Sequence, residues 1–421
     1  MKDFFKKLKT FWWRMKSIWA MYYYGNPSKK LKIVGVTGTN GKTTTATLLY
    51  KVATELGYKA GLIGTNENLV NGGKLEVNSK VPKPGTTPDS ITLTKFFSEM
   101  AKVECEYVFM EVSSHALDQN RVAGINFVGG IFTNLTQDHF DYHKNFENYF
   151  KAKNKFFKML SATAFALTNT DSEYGNRMIE NIQAQKFSYG FNEGEDFHGE
   201  IKKLDFSGLE FSIIPLGGLT AKWVKSKLLG KFNAYNLLAV WSACELLGFD
   251  MDKVSKILET VKPPSSRFEY FMSSGGVLGV VDFAHSPDAL KNVISTAREI
   301  VSSGGRVISV FGCSGDKDPF KRPIMGKVGA SLSDIVFFTS DNPRSEEPGK
   351  ILEQMTPDLS TEELKKIQII IDRDEAINKV GEIAKKNDVV LLMGKGHETY
   401  QEIKGVKYPW SDMEKLREAL G

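Results

Sequence analysis

The chain has 421 residues, of which 41% are hydrophobic and 25% charged, with a net charge of +5. This is ordinary globular composition, with enough length for two or three domains and a sizeable core. The mild positive balance, without any aromatic-basic nucleic-acid motif, argues against a nucleic-acid binder. No apolar run is long enough to cross a bilayer, and no cleavable leader pattern opens the chain. Cys105, Cys244 and Cys313 lack paired spacing and fit a reducing compartment, so a cytoplasmic protein is expected.

Taken in chain order, the first feature is a basic segment in which Lys2, Lys6, Lys7, Lys9, Arg14 and Lys16 face a single acid, Asp3. Phe4, Leu8, Phe11, Met15, Ile18, Trp19 and Tyr22 recur at helical spacing, with Phe5 and Trp12 widening the stripe. The spacing predicts an amphipathic helix. Its apolar face either lies on an anionic membrane surface or docks on this protein's own body or a partner subunit. Residues 1–28 are read as this arm and a linker.

An alternation of strand-like and helical patterns follows. Residues 33–36, 107–112, 128–132 and 165–167 read as strands, and the stretches beginning at Thr43, Ser90 and Phe146 as helices. This alternation predicts an α/β domain with a mostly parallel sheet covered on both faces. Short alternating runs with glycines over 188–227 suggest a small antiparallel insertion, and helices resume near Asn233 and Met251. Pro263 and Pro264 stop the last helix. Beyond them, runs at 277–281, 307–311, 335–338, 367–371 and 389–392 predict a second, open Rossmann-like α/β domain. The expected boundaries are 29–265 for the central domain and 266–421 for the C-terminal one.

The strand at 33–36 runs into Gly38-Thr39-Asn40-Gly41-Lys42-Thr43-Thr44 and then a helix. Such a turn aims backbone N–H groups and a helix N-terminus at phosphate oxygens. Lys42 adds a mobile charge, and the Thr43 hydroxyl can meet Mg²⁺. The common spacing is varied, since Val36 stands where a glycine usually opens the loop. Glu111 closes the next strand and is followed by Ser113, Ser114 and His115; in open α/β sheets, ligands gather beyond such carboxyl ends. His139 lies just past the end of the strand at 128–132, beside Asp138 and Asp141.

Together these residues form an ordered set of motifs: residues 37–44, 111–115 and 134–139, Lys153 ahead of Phe156-Phe157, Asp282-Phe283-Ala284-His285, residues 312–318, Asp341-Asn342-Pro343-Arg344, and Gly394-Lys395-Gly396-His397-Glu398. The set resembles the Mur ligases over roughly residues 24–412, and within them the MurE branch of peptidoglycan synthesis. The resemblance implies a central P-loop ATPase domain followed by a C-terminal ligase domain, with ATP and Mg²⁺ as cofactors. The implied reaction is ATP-dependent amide formation through an acyl phosphate.

Position by position, the resemblance implies that Gly38, Thr39, Asn40, Gly41, Lys42, Thr43 and Thr44 bind ATP phosphates, with Lys42 on the β- and γ-phosphates. Thr43 would hold one Mg²⁺, and Glu111 with His139 a second. Lys153 matches the position that is carbamylated in the family. Asn233 and Asn236 match the adenine side, and Arg267 and Asp282 are nucleotide contacts from the second domain. Thr86, Thr87, Ser113 and Arg121 match the muramoyl-dipeptide contacts. Arg322, Asp341, Asn342, Arg344, Gly394 and Glu398 match the amino-acid contacts. The Asp341 to Arg344 pattern resembles that of enzymes adding meso-diaminopimelate, whose distal carboxylate a guanidinium can grip with two parallel hydrogen bonds, a group that L-lysine lacks.

The pattern departs from the family at its front. Only about thirty residues precede the loop, where the family carries a UDP-binding domain on the order of a hundred residues. UDP recognition is therefore an open expectation, and the acceptor is a muramoyl peptide, a lipid-linked precursor or a related polymer such as pseudomurein. A sister ligase and a non-catalytic nucleotide-binding scaffold are the alternative readings.

Overall fold

The computed structural model describes residues 2–77, 86–136, 138–205, 207–218, 220–261, 268–301, 304–396 and 398–421. The chain divides into two compact units. The first comprises Met1–Lys203, Glu210–Lys227 and Phe232–Val261, and the second Leu204–Leu209, Leu228–Lys231 and Lys262–Gly421.

Eleven strands, carried mainly by the first unit, form one sheet. In chain order they are β1 Lys32–Thr37, β2 Ala60–Ile63, β3 Asn68–Val70, β4 Gly73–Lys74, β5 Tyr107–Glu111, β6 Phe127–Phe132, β7 Phe165–Asn169, β8 Gln185–Gly190, β9 Phe197–Asp205, β10 Gly208–Ile214 and β11 Lys222–Ser226. Across the sheet the order is β11-β10-β9-β8-β7-β6-β1-β5-β2-β3-β4. β1 lies between parallel neighbours, with Val36 opposite Glu111 of β5 and Ile131 of β6. The carboxyl ends of these three strands therefore open at one edge. β1 is buried from Ile33 to Thr37, as expected of a strand covered on both faces. On one side, Phe156 and Phe157 of the helix Phe146–Lys158 share a core with Ile33, Val108, Phe127 and Phe132.

β2 was not legible as a strand. It opens with Ala60 and Gly61, poor strand formers, yet it pairs parallel with β5 and brings the residues after Ile63 to the same edge as Glu111. The strands over 185–226 continue the main sheet rather than standing apart from it. β8 and β9 pair in parallel through Tyr189 with Phe197 and Gly190 with His198. The short links from β9 to β10 and from β10 to β11 join neighbours in the sheet, a geometry open only to antiparallel strands.

The amino-terminal helix, Lys2–Tyr23, docks on this unit by a face other than its aromatic stripe. Ser17, Ala20 and Met21 are buried. Ser17 Oγ donates to the Asn120 carbonyl at 2.8 Å, and Thr94 Oγ1 donates to Met21 Sδ at 3.3 Å. The expectation that the apolar stripe itself packs on the protein's own body is not met among the described side chains.

The second unit repeats the principle on a smaller scale. Its strands are β12 Glu269–Met272, β13 Leu278–Asp282, β14 Val307–Phe311, β15 Ile335–Phe338, β16 Ile367–Ile369 and β17 Val389–Met393, ordered β12-β13-β17-β14-β15-β16. All the pairings are parallel except β12 with β13. The two-residue period of a strand sorts its side chains between two cores. Leu278, Val280, Val307, Phe311, Leu391 and Met393 face Leu290, Ile294 and Met325. Val281, Ile308, Val310, Val390 and Leu392 face Ile377, Val380 and Leu416. At about 1.5–3 kcal/mol per fully buried aliphatic side chain, these two layers dominate the unit's stability.

A salt bridge sealed from water crosses the second layer. Arg373 and Asp412 have wholly buried side chains with Nη2 and Oδ2 2.6 Å apart. Arg373 also donates to the Met393 and Ser340 carbonyls, and Trp410 Nε1 donates to Asp412 at 2.7 Å. Arg373→Met strands a buried carboxylate and is expected to cost about 3–5 kcal/mol, read as a lower urea midpoint. The Arg373→Met/Asp412→Leu pair should recover a large part of that loss.

Candidate active site

The β1-to-helix turn is shaped by contacts that require glycine. Gly38 has φ of 155°, and a Cβ there would lie 1.9 Å from Thr133 Oγ1. Gly41 has φ of 85°, and its Cβ would lie 2.4 Å from Asn236 Oδ1. The segment after β6 clamps the loop from the other side. Asn134 accepts from the amides of Thr39, through its carbonyl, and Asn40, through Oδ1, each at 2.9 Å; Thr133 Oγ1 donates to the Asn40 carbonyl. The loop is therefore preset before any phosphate arrives.

Two lysines converge on its first carbonyl. Lys42 Nζ donates to the carbonyl oxygens of Gly38 at 2.9 Å and Thr39 at 2.7 Å. Lys153 Nζ donates to the same Gly38 oxygen at 2.6 Å. Lys153 is 1% exposed. Burial, and then the charge of Lys42, push its amine far below the ordinary lysine value, with Asp138 opposing weakly. Its stem lies against the Tyr149 ring, 4.6 Å from Nζ to the centroid. The Tyr149 hydroxyl is 3.1 Å from Thr39 Oγ1. Tyr149 stands one helical turn before Lys153, a spacing that was readable in the sequence but was not singled out.

At the end of β5, Glu111 is buried and multiply bonded. Its Oε2 accepts from Thr43 Oγ1 at 2.9 Å and Thr65 Oγ1 at 3.0 Å, and its Oε1 from the Thr65 amide at 2.7 Å. Thr65 escaped sequence reasoning because β2, which delivers it, was not recognised. The Thr86 hydroxyl lies 2.9 Å from Thr65 Oγ1, which can accept from it while donating to Glu111. Thr87 Oγ1 donates to the Glu111 carbonyl and accepts from the Ser113 amide, while its own carbonyl takes Arg121 Nη1 at 2.7 Å. Capping of the next helix falls to Asp89 rather than to these threonines. The Ser113 hydroxyl caps the helix Ser114–Asp118. Thr86, Thr87, Ser113 and Arg121 thus belong to one hydrogen-bonded patch beside Glu111.

His139 adopts a left-handed backbone, φ 55°. Its ring lies 4.9 Å from that of His115 and 6.2 Å from that of Tyr149. Nearby His143 is buried, with Nε2 3.0 Å from Ser114 Oγ. Asn233 and Asn236 are buried in the helix Lys231–Leu246, bonded to one another at 3.1 Å. Asn236 abuts Gly41, so this helix borders the phosphate loop.

The oxygens of Thr43 and Glu111 suit a hard cation such as Mg²⁺. That ion commonly takes one or two protein carboxylates and completes its shell with water and phosphate. Among the described residues, no group of three His, Cys, Asp or Glu is arranged to hold a metal by itself. An ion here would thus depend on the nucleotide for further ligands. Lys153 offers no anionic oxygen unless its amine is carbamylated.

The second unit holds a separate polar cluster. Asp341, Asn342 and Lys395 are buried. Lys395 Nζ donates to Asn342 Oδ1 at 3.0 Å and Glu398 Oε2 at 3.1 Å, and Asn342 Nδ2 donates to Glu398 at 2.7 Å. Ser314 donates to Asp341 Oδ2 at 2.7 Å, and Gly394, φ 111°, passes close to Asp341. The Arg344 backbone bonds to those of Glu402 and Lys404, while among the described residues its guanidinium makes long contacts, 3.5 Å to the Gly315 carbonyl and 3.6 Å to Glu402. Arg322 is instead locked: its two Nη groups take both oxygens of Glu346 at 2.8 Å, and Nη1 also takes Gln354 at 2.6 Å. Those bonds hold the Glu346 carboxyl down to about 2. Asp282 accepts from the Phe268 amide at 2.7 Å. Arg267 lies outside the described residues, as do Gln137 and His397 of the motifs.

These two constellations define a ligase of the Mur type. The Mur ligase middle-domain model matches residues 36–244, and the Mur ligase glutamate-ligase-domain model matches residues 266–396. The chain belongs to the Mur ligase family. It is 48% identical over 396 residues to the UDP-N-acetylmuramoyl-L-alanyl-D-glutamate–2,6-diaminopimelate ligase of Parabacteroides distasonis, covering 94% of this chain and 79% of that one. Identity to the enzyme of the same name from Clostridium botulinum is 40%, covering 96% and 81%. A solved structure of such a ligase superposes with a TM-score of 0.69 at 32% identity, covering 93% of this chain and 78% of that one. The MurF ligase of Thermotoga maritima in complex with ADP shares the fold, with a TM-score of 0.65 at 17% identity, covering 95% and 83%.

Burial, and next the charge of His115, depress the His143 imidazole to about 4. A base depressed in the folded state contributes its stability in full above its unfolded value, about 6.5, and that contribution drains away as pH falls toward 4. The melting temperature should therefore drop between pH 7 and pH 4.5, and drop less in His143→Gln.

Proposed function

We propose that this protein is an ATP-dependent ligase that joins meso-diaminopimelate to the glutamate carboxyl of a UDP-muramoyl-L-alanyl-D-glutamate precursor, acting in the cytoplasm. The observation that carries the reading is the convergence of Lys42 and buried Lys153 on the Gly38 carbonyl, beside the Thr43–Glu111 pair. This arrangement suits a triphosphate whose terminal group is to be transferred.

A carboxylate is a poor electrophile, so its oxygen first attacks the γ-phosphorus. The bond to the β-phosphate oxygen breaks, leaving ADP and an acyl phosphate. The amine then attacks the acyl carbon, inorganic phosphate departs, and the nitrogen loses a proton. Negative charge moves across the phosphoryl oxygens during the first step, and preset cations lower its barrier. In this reading the loop amides and Lys42 hold the β- and γ-phosphates, swinging Lys42 off its own loop carbonyls. Asn233 and Asn236 border the nucleotide, with Arg267 and Asp282 as further contacts. Thr43, Glu111, His139 and carbamylated Lys153 are the ligands that would hold Mg²⁺, which when bound neutralises phosphate charge.

The depressed amine of Lys153 suits carbamylation. A neutral amine attacks the carbon of CO₂ and releases a proton, turning a misplaced cation into an anionic oxygen donor. Thr86, Thr87, Ser113 and Arg121 face the acyl substrate. Asp341, Asn342, Gly394 and Glu398 receive the amino acid, and Arg344, loosely held, grips its distal carboxylate. Arg322, whose two Nη groups are taken by Glu346 and Gln354 while its buried Nε has no partner among the described residues, acts by fixing the loop at Ser314 and Asp316.

Phosphate release coupled to tripeptide formation tests the reading. Lys153→Ala should lose on the order of 10²-fold in kcat and regain part of it with added acetate or formate, whereas Lys153→Arg should not. If neither variant loses activity, the assignment of Lys153 fails. Arg344→Ala should raise KM for diaminopimelate by about 10-fold or more, the loss of a charge-assisted hydrogen-bonded pair, and narrow its advantage over L-lysine.

A further inference from the structure

The amino-terminal helix presents a surface that the ligase chemistry does not use. Its buried line, Ser17, Ala20 and Met21, fastens it to the first unit. Asn120 adds a second tie, accepting from Ser17 Oγ and donating to the Thr10 carbonyl at 3.1 Å. The opposite face carries Phe11, Trp12, Met15, Ile18, Trp19, Tyr22 and Tyr23. All are exposed, Trp12 at 68% and Tyr22 at 78%. Trp19 and Tyr23 stack at 5.0 Å, which extends a flat aromatic surface. An exposed run of this size on a soluble body marks a docking surface.

Charge decides what docks there. The segment carries Lys2, Lys6, Lys7, Lys9, Arg14 and Lys16 against Asp3 alone. Helical register sets positions 7 and 14 along one border of the aromatic face, and positions 2, 9 and 16 along the other. A hydrophobic protein partner or a second copy of this chain would gain nothing from two cationic borders. An anionic phospholipid surface would: aromatic rings settle at the headgroup level while flanking lysines and arginines meet phosphate. The helix is not built to span, since among the described residues no helix is long and apolar enough to cross a membrane. We infer that the Lys2–Tyr23 helix holds this protein on an anionic lipid surface, its Ser17–Met21 side against the protein and its aromatic side in the headgroup layer. The inference is independent of the ligase reading.

Co-sedimentation of the full chain with vesicles tests it. Binding to vesicles of equimolar phosphatidylglycerol and phosphatidylcholine should exceed binding to pure phosphatidylcholine by about tenfold or more, at about 1 kcal/mol per basic residue near the surface, and should weaken with added salt. Trp12→Ser/Trp19→Ser should lose most of that binding while keeping the native melting temperature and phosphate release. Equal binding to both vesicle types, or undiminished binding by the double variant, overturns the inference. So does light scattering that shows a dimer which the double variant dissociates, since a second copy would then be the occupant.

Discussion

The site is organised around one backbone carbonyl. Gly38 turns at the end of β1 with its oxygen facing inward, and both Lys42 and Lys153 donate to it. Two cationic side chains within reach of one acceptor repel each other, and the one sealed from water yields its proton more readily. The electrostatics therefore separate two lysines of identical chemistry. Lys42 lies at the mouth of the loop. Lys153 is buried, and its amine is pushed well below the ordinary lysine value. Neither state would hold if a side chain at Gly38 displaced the loop from Thr133.

The strands around β1 supply the rest. Parallel pairing aligns the ends of β2, β5 and β6 with that of β1, so Thr65, Glu111 and the Thr133–Asn134 pair arrive at the loop from three separate stretches of sequence. Each is fixed by hydrogen bonds that exist before a ligand binds, which limits the reorganisation left for the reaction. The second unit applies the same economy to a different task. Asn342, Lys395 and Glu398 satisfy one another in a buried network, and such a network is rigid because any break leaves a polar group unpaired. The Arg344 side chain, with long contacts, contrasts with Arg322, whose two Nη groups are taken by Glu346 and Gln354. Two arginines of one motif set thus differ in how tightly their side chains are held.

The α/β alternation and the glycine turn between β1 and its helix were legible because each is written locally. A glycine turn between an apolar run and a helix needs no distant information, and a buried parallel strand announces itself by composition. Glu111 was singled out by its place at a strand end, whereas Lys153 and the Asp341 to Arg344 set came from motif order; periodicity by itself would have left Lys153 as a solvated helix lysine. β2 and Thr65 were missed because Ala60 and Gly61 are poor strand formers.

What the sequence determined by itself was local chemistry: a glycine turn between strand and helix, the side chains offered at strand ends, and a cationic aromatic first helix. What only the tertiary structure decided was environment. It buried Lys153 against Tyr149, closed the Thr43–Glu111–Thr65 network, paired Arg322 with Glu346, and turned the amino-terminal helix so that Ser17, Ala20 and Met21 face the protein while Trp12 and Trp19 face out. Proton affinity and exposure depend on solvent exclusion by neighbours remote in the chain, and that exclusion does not exist until the sheet has assembled.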